Sequence, residues 1–449
     1  MFGHKPLLKW KATTTKKAKI ATAIAAAESK ADTEILPCNM VDPQKPKQGT
    51  HRLKQLLTQR DTWYYPPDIA DDLRDINLPG GVKAEILACA WEYARCVIPQ
   101  YTNWDRYVAF MRTIVVGITA EFKGGMVDVT AGDTILGYSI SGILASLFEG
   151  TSGHKDMVRE YHAFLLITAE KASDRRDGEL FRRYVNSLAY APNYWFRMRD
   201  CDALARFTIA AALACNDLDD VWFSDEQFDI LSEMGDTMYD AVAFYKHRSE
   251  GETNSTFAYM PDDTRIKAFR QCREVLWALD VAWARQNDMQ NVTTFLRLFG
   301  GPIHLMMRRY RFVEDDLTIG RPETEHVVSQ TRANFKLWNR VDANEMIDVG
   351  QESIQRYRDL LTRSDELMFD GLAEFLQTGG DGNCDTCRYR PSYGAETTHC
   401  FGGVELCDNC RAKWRDFLES FPERAAQAFP ELINTYNTAI TSTHGEGYK

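Results

Sequence analysis

The sequence predicts an all-α protein, and three observations carry that reading. Apolar residues recur at helical spacing almost continuously from Trp63 onward, alternating strand-like runs are few, and the pattern breaks clearly only between Gly379 and Gly403, a stretch rich in Gly, Cys and Arg. The expected organisation is a basic tail over 1–60, a helical body over 61–378, and a small cysteine module with a last helix over 379–449. The tail holds 12 Lys and Arg against 4 acids and a Pro/Gln/Lys stretch near Pro43–Gly49, a composition that cannot bury enough apolar surface to fold alone. Its scarcity of acids gives it a faint likeness to an organellar transit peptide, but a disordered tail is the preferred reading.

Each element has a local reason. After the punctuation Leu78-Pro79-Gly80-Gly81, a helix over 81–97 sets Glu85, Cys89, Glu92 and Cys96 on one stripe. The next, over 105–122, is apolar around most of its circumference, so it should be central, with Glu121 at its end. A carboxylate in so apolar a place must protonate or find a cation, because unpaired burial costs several kcal/mol. Further helices are expected over 155–172, 178–189, 201–220, 225–248, 263–285, 292–315, 325–342 and 351–376, and the last over 412–436.

Composition narrows the function. The chain of 449 residues carries a net charge of −11, and outside the tail 41 basic residues face 60 acidic ones. An acidic body is a poor sequence-independent binder of nucleic acid, whose affinity comes from Lys and Arg neutralising phosphates. No run reaches the roughly 18–20 apolar residues that span a bilayer. Of eleven cysteines, four form a metal-type pattern and most others, such as Cys89, Cys96 and Cys201, sit within helical stretches, as expected of a reduced, cytoplasmic protein.

The strongest local motif is Cys384-x2-Cys387 followed after nineteen residues by Cys407-x2-Cys410, within the spacing of a tetrahedral zinc site. Four thiolates close the coordination sphere, so this Zn²⁺ is read as structural. A second motif is the run Phe207–Phe223, in which nine nearly apolar residues end in Asn216, Asp217, Asp219 and Asp220. If the helix continues, these acids share a face that could hold Mg²⁺, which accepts one or two carboxylates and fills its remaining positions with water and phosphate oxygens. A cap and a solvated turn explain the same residues equally well. Basic clusters at Arg182-Arg183, Arg197-x-Arg199, Lys246-x-Arg248 and Arg308-Arg309-Tyr310 are candidates for a diphosphate, since guanidinium groups bind phosphate oxygens through charge-assisted bonds. Such an anion leaving an allylic carbon would leave a carbocation needing aromatic faces and exclusion of water. Tyr194, Trp195, Phe196, Trp222 and Phe223 lie nearest these motifs in sequence.

The segments DTWYYPPDIADDL, EILACAWEYARCVIPQYTNW, RMRDCDALARFTIAAALACNDLDD, YDAVAFYKHRSEGETNSTFAYMP and GGPIHLMMRRYRFVED, with the cysteine module, resemble the α-ionylideneethane synthases, unusual sesquiterpene synthases of fungal abscisic-acid clusters. The resemblance runs from about Asp61 to Phe429. It implies a terpene-synthase-like helical bundle that uses Mg²⁺ to take farnesyl diphosphate to 2Z,4E-α-ionylideneethane, releasing diphosphate and passing through neutral farnesene-type intermediates before a proton-initiated ring closure. The ordinary DDxxD and NSE pair is lacking. Glu85 and Glu121 are then the expected Mg²⁺ carboxylates, with Asp217 and Asp220 in support. Asp219 is the expected proton donor of a DxDD-like motif, and Arg199, Lys246, Arg248, Arg309 and Tyr310 are expected to receive the diphosphate. Two alternatives remain open: a sesquiterpene cyclase with another product, and a non-catalytic helical scaffold whose zinc module recruits a partner.

Overall fold

A computed structural model describes residues 63–176, 178–190, 192–260, 263–310, 324–326, 350–381, 384–389 and 404–435. In chain order the main helices are α1 (Gly80–Val97), α2 (Trp104–Phe122), α3 (Ile140–Phe148), α4 (His154–Lys171), α5 (Glu179–Tyr190), α6 (Pro192–Ala203), α7 (Ala205–Ala214), α8 (Asp225–Val242) and α9 (Phe244–Ser249). They are followed by α10 (Thr264–Ala282), α11 (Gln290–Phe299), α12 (Ile303–Met306), α13 (Gln351–Thr362), α14 (Ser364–Leu367), α15 (Leu372–Asp381), α16 (Asp408–Glu419) and α17 (Phe421–Ala428). Strands among the described residues are confined to two antiparallel ribbons, Thr134–Ile135 with Tyr138–Ser139 and Arg388–Tyr389 with Val404–Glu405.

The bundle closes around α7, whose ten residues, ARFTIAAALA, are all buried. Five alanines keep its girth small, which lets α3, α4, α6, α8 and α11 all pack against it. The surrounding helices start where the sequence supplies caps. Asn103 accepts from Arg106 N–H at the head of α2, Ser139 accepts from Gly142 N–H at α3, and Ser224 with Gln227 forms a reciprocal capping box at α8.

Several expected helices are broken, each at an identifiable place. The 201–220 helix is two: α6 ends, Leu204 adopts a left-handed φ of 54°, and α7 begins with the Asp200 carboxylate accepting from Arg206 N–H at 2.7 Å. That side chain caps α7 from the preceding helix. The 225–248 helix divides at Ala243, the 292–315 helix at Gly300-Gly301-Pro302, and the 351–376 helix at Arg363 and again before Gly371. The terminal helix is α16, α17 and a further helical segment over 431–435 in place of one rod over 412–436, of which 436 lies outside the described residues. The helix expected over 325–342 lies almost wholly outside them too. Sequence periodicity misses α3, most of α6 and the hairpin at Thr134–Ser139.

The C-terminal pair is tied to the body by charge. Glu233 of α8 is buried, and Arg424 of α17 grips it with both terminal nitrogens at 2.7 Å while lying over the Phe417 ring. Burial raises the Glu233 pKa and Arg424 opposes the rise. Removing one partner of such a pair leaves a buried charge uncompensated. Arg424→Met is expected to lower stability by about 3 kcal/mol, read from urea unfolding, and Glu233→Gln in the same chain to recover part of the loss.

Candidate functional site

The ends of α2 and α4 set the geometry of an internal cavity. Their C-termini meet where Gly124, just past α2, donates its N–H to the Ala172 carbonyl at 3.1 Å. Gly117 of α2 also faces the Phe164 ring of α4, where a Cβ would come to 3.1 Å. The two helices therefore run alongside in the same direction at this place. On α2 the cavity wall passes from Ile114 through Gly117 and Ile118 to Glu121, and on α4 from Phe164 to Lys171. Seven residues of helix rise about 10 Å. Over that distance the wall changes from apolar to charged in parallel on both helices.

Tyr93, Leu204, Phe299 and Tyr310 add apolar and aromatic surface, while Arg199, Asp202, Lys246, Glu250, Glu252 and Arg309 add polar groups. The space inside, with its open mouth, comes to about 1080 Å³. An elongated ligand with an apolar body and an anionic head matches this distribution. Helix C-termini repel anions, so the four cations have that much more to offset.

Every one of those cations meets a carboxylate. Arg309 pairs with Glu121, Lys171 with Asp202, Lys246 with Glu250 at 2.7 Å, and Arg199 with Asp202 at 3.0 Å and with the buried Asp240. Lys246 also lies 5.8 Å from the centre of the Tyr310 ring. Glu121 is half-buried where the sequence pattern expected it deep, and it has found a cation in Arg309, one of the two outcomes open to a carboxylate there.

Five residues singled out from sequence, Glu121, Arg199, Lys246, Arg309 and Tyr310, thus line one cavity. The structure does not bring the others to it. Glu85 is half-buried on α1, near enough to Cys89 to act, after burial and Glu92, among the groups that push that thiol up to about 12. Arg248 lies over the rings of Phe244 and Tyr245. The acidic run is at the far end of α7, about 15 Å along the helix axis from Leu204. Because α7 stops at Ala214 and Asp217 takes a left-handed φ of 55°, the helical face expected to align Asn216, Asp217 and Asp220 does not form. Asn216 caps the helix by donating to Ala212 O and Gln100 O. Asp217 accepts from Asn103 and Thr102, which hold its carboxyl below the usual range. Asp219 takes a bidentate grip from Arg106 at 2.5 and 3.0 Å, and Asp220 is exposed.

Sequence reasoning missed Lys171, Asp202, Glu250, Glu252 and Asn254. The last three belong to the polar stretch Ser249–Thr256, whose density of hydrogen-bonding side chains beside Gly251, at φ 67°, was the available signal.

Away from the cavity, Cys384, Cys387, Cys407 and Cys410 place their sulfurs within 4.8 Å of one another, the one potential metal cluster among the described residues. The 3.9 Å between Cys384 and Cys407 is close to the spacing of about 3.8 Å across a tetrahedron of Zn–S bonds. Backbone N–H groups of Thr386 and Cys387 lower the Cys384 thiol to about 6, whereas burial raises those of Cys387 and Cys410, which an ion would have to deprotonate on binding. These four can hold a metal ion.

His304 braces the cavity wall from behind. It is buried between the rings of Tyr239, 4.3 Å away, and Tyr310, 5.2 Å away, and its Nε2–H donates to Tyr239 O at 3.2 Å. Burial, with Lys246 adding to it, lowers its pKa to about 3. An imidazole that must stay neutral stabilises the fold fully above its unfolded pKa of about 6.5 and less as pH falls towards 3. Moving from pH 7 to pH 5 should remove about 2 kcal/mol through this residue. His304→Gln is expected to flatten that part of the stability profile measured by urea unfolding, whatever it does to stability at pH 7.

A family described as alpha-ionylideneethane synthase aba3 matches residues 61–431. A Botryotinia fuckeliana protein of that description is 65% identical over 94% of this chain and 96% of its own. The alpha-ionylideneethane synthases abl3 of Leptosphaeria maculans and Pyricularia oryzae are 62% and 55% identical, over 86% and 83% of this chain and 89% and 83% of theirs. The chain belongs to the alpha-ionylideneethane synthase family.

Proposed function

We propose that this protein is an α-ionylideneethane synthase of abscisic acid biosynthesis, a terpene synthase that ionises farnesyl diphosphate in the cavity between α2, α4, α6 and α8. The observation that carries this is the shared polarity of α2 and α4, with an apolar wall for a prenyl chain and Lys171, Arg199, Lys246 and Arg309 at the head. With every cation already paired, an incoming diphosphate draws the cations to itself, and Glu121, Asp202 and Glu250 are released. Hard oxygen donors of this kind fit Mg²⁺, which needs one or two of them beside phosphate oxygens. Bound there, the ion would neutralise charge on the departing diphosphate. The chain's own work is to hold the anion with Arg199, Lys246 and Arg309, to present Tyr93, Phe299 and Tyr310 to the carbocation, and to exclude water with Ile114, Ile118 and Phe164. Asp217 and Asp219 in this reading anchor the start of α2, and their carboxylates take no part in the chemistry.

Two sets of variants test the assignment. Glu121→Gln and Lys246→Gln should each reduce diphosphate release from farnesyl diphosphate by at least about a hundredfold, whereas Asp219→Asn should retain turnover within a few fold and lose stability. Turnover abolished in Asp219→Asn and preserved in the other two would move the active centre to the far end of α7.

For the cysteine cluster we propose Zn²⁺ as a structural ion that fixes the start of α16. Elemental analysis should find one zinc per chain, and Cys407→Ser should lose it, with faster hydrogen exchange in α16 and a lower unfolding midpoint.

A further inference from the structure

Asp240 of α8 is fully buried and does not line the cavity, yet three of the segments that do line it meet on its carboxylate. From α6, Arg199 donates Nε–H to Oδ2 at 3.1 Å and Nη2–H to Oδ1 at 2.8 Å. From the loop after α9, Thr256 donates its backbone N–H and its hydroxyl to Oδ2 at 2.6 and 2.7 Å. From α9 itself, the His247 Nδ1 lies 3.5 Å from Oδ1. Four donors from two of these segments are thus held by one carboxylate that no solvent reaches, with the His247 ring of the third beside it.

We propose that Asp240 is a positioning residue that presets the anion grip, locking the Arg199 guanidinium in one orientation at the cavity wall and pinning the Glu250–Thr256 loop beside it. The inference rests on the reading of the cavity as a diphosphate site. An arginine side chain loses about 2 kcal/mol of rotamer freedom when it is immobilised, and a ligand that finds it already ordered does not bear that cost. Asp202 takes Nη1–H at 3.0 Å, so three of the five guanidinium N–H groups fix its plane. Asparagine cannot replace the carboxylate, because its amide NH₂ would point a donor at either Arg199 or Thr256.

The neighbouring Asp236, one turn earlier on α8, sharpens the contrast. It is equally buried, and neither of its oxygens has a hydrogen-bond partner among the described residues. Burial, with Asp200 and Asp240 nearby, raises its pKa well above the ordinary range against the pull of Arg199. Asp240, and not Asp236, is thus the acid of α8 that Arg199 grips, and Asp236→Asn becomes a near-isosteric control.

Inorganic diphosphate with Mg²⁺, as a competitive inhibitor of the full-length enzyme, reads the grip directly. Asp240→Asn and Arg199→Gln are each expected to raise its inhibition constant and the KM for farnesyl diphosphate by about tenfold, with kcat changing less. If Asp240 acts through Arg199, the double variant should resemble Arg199→Gln within about twofold, since residues acting as one unit are not additive. Asp236→Asn should leave the inhibition constant unchanged. Should Asp240→Asn fail to fold, Thr256→Val removes one anchor and keeps the charge, and a rise of two- to threefold is expected. Losses that multiply in the double variant, or an equal loss in Asp236→Asn, overturn the inference while leaving the diphosphate site standing. No effect of Asp240→Asn or Thr256→Val beside a clear effect of Arg199→Gln overturns it likewise. No effect of Arg199→Gln removes the diphosphate reading, and the role of Asp240 with it.

Discussion

The close approach of α2 to α4 at Gly124 is the constraint on which the rest of the cavity depends. A Cβ at this position would lie 2.2 Å from the Ala169 carbonyl oxygen and 2.9 Å from its carbon, and backbone cannot yield to that overlap. Without a side chain there, the two helices end side by side, so Glu121 and Lys171 reach the same level of the cavity. Any separation of the pair would slide the apolar wall of one helix against the charged end of the other. The single hydrogen is thus a matter of register more than of space.

That level of the cavity is electrically quiet because its charges are matched. Arg309 faces Glu121, Lys246 faces Glu250, and Asp202 lies between Lys171 and Arg199. Ions withdrawn from water are costly unless they are paired and hydrogen-bonded, so a cavity poised for a multiply charged ligand needs internal partners while it waits. The same pairs give the ligand something to exchange with, as the cations turn to phosphate oxygens and the carboxylates to a divalent ion. Aromatic rings close the wall behind this exchange, with Tyr239 against His304 and Phe299.

The helical class was legible in the sequence because 3.6-residue periodicity is a local property. The cysteine spacing was legible because a thiolate tetrahedron leaves few alternatives. Five cavity residues were legible by type and context, Glu121 because it ended an apolar helix, Arg199, Lys246 and Arg309 because they stood in basic clusters, and Tyr310 because it followed Arg309. What was not legible depends on contacts across the chain. The acids at Asp217 and Asp219 read as a metal face only if the helix continues, and its end is set partly by Asn103, Thr102 and Arg106, more than a hundred positions earlier. The split at Leu204 follows from the Asp200 carboxylate turning back onto Arg206, and Asp200 itself looked like either of the two acids in RMRDCDA. Asp240 carries no sequence signature at all, since its importance lies in where Arg199 and Thr256 arrive.

The clasp between Glu233 and Arg424 has a consequence for biosynthesis. Its two halves are separated by 191 positions, so a growing polypeptide presents the Glu233 carboxylate to the forming interior long before its counter-ion has been translated. Until then the glutamate must stay hydrated or carry a proton, and α8 cannot be sealed on that side. Maturation therefore waits for the ribosome to deliver the C-terminal segment, and premature termination upstream of Arg424 would release a chain with an open flank, a natural substrate for chaperones and proteases.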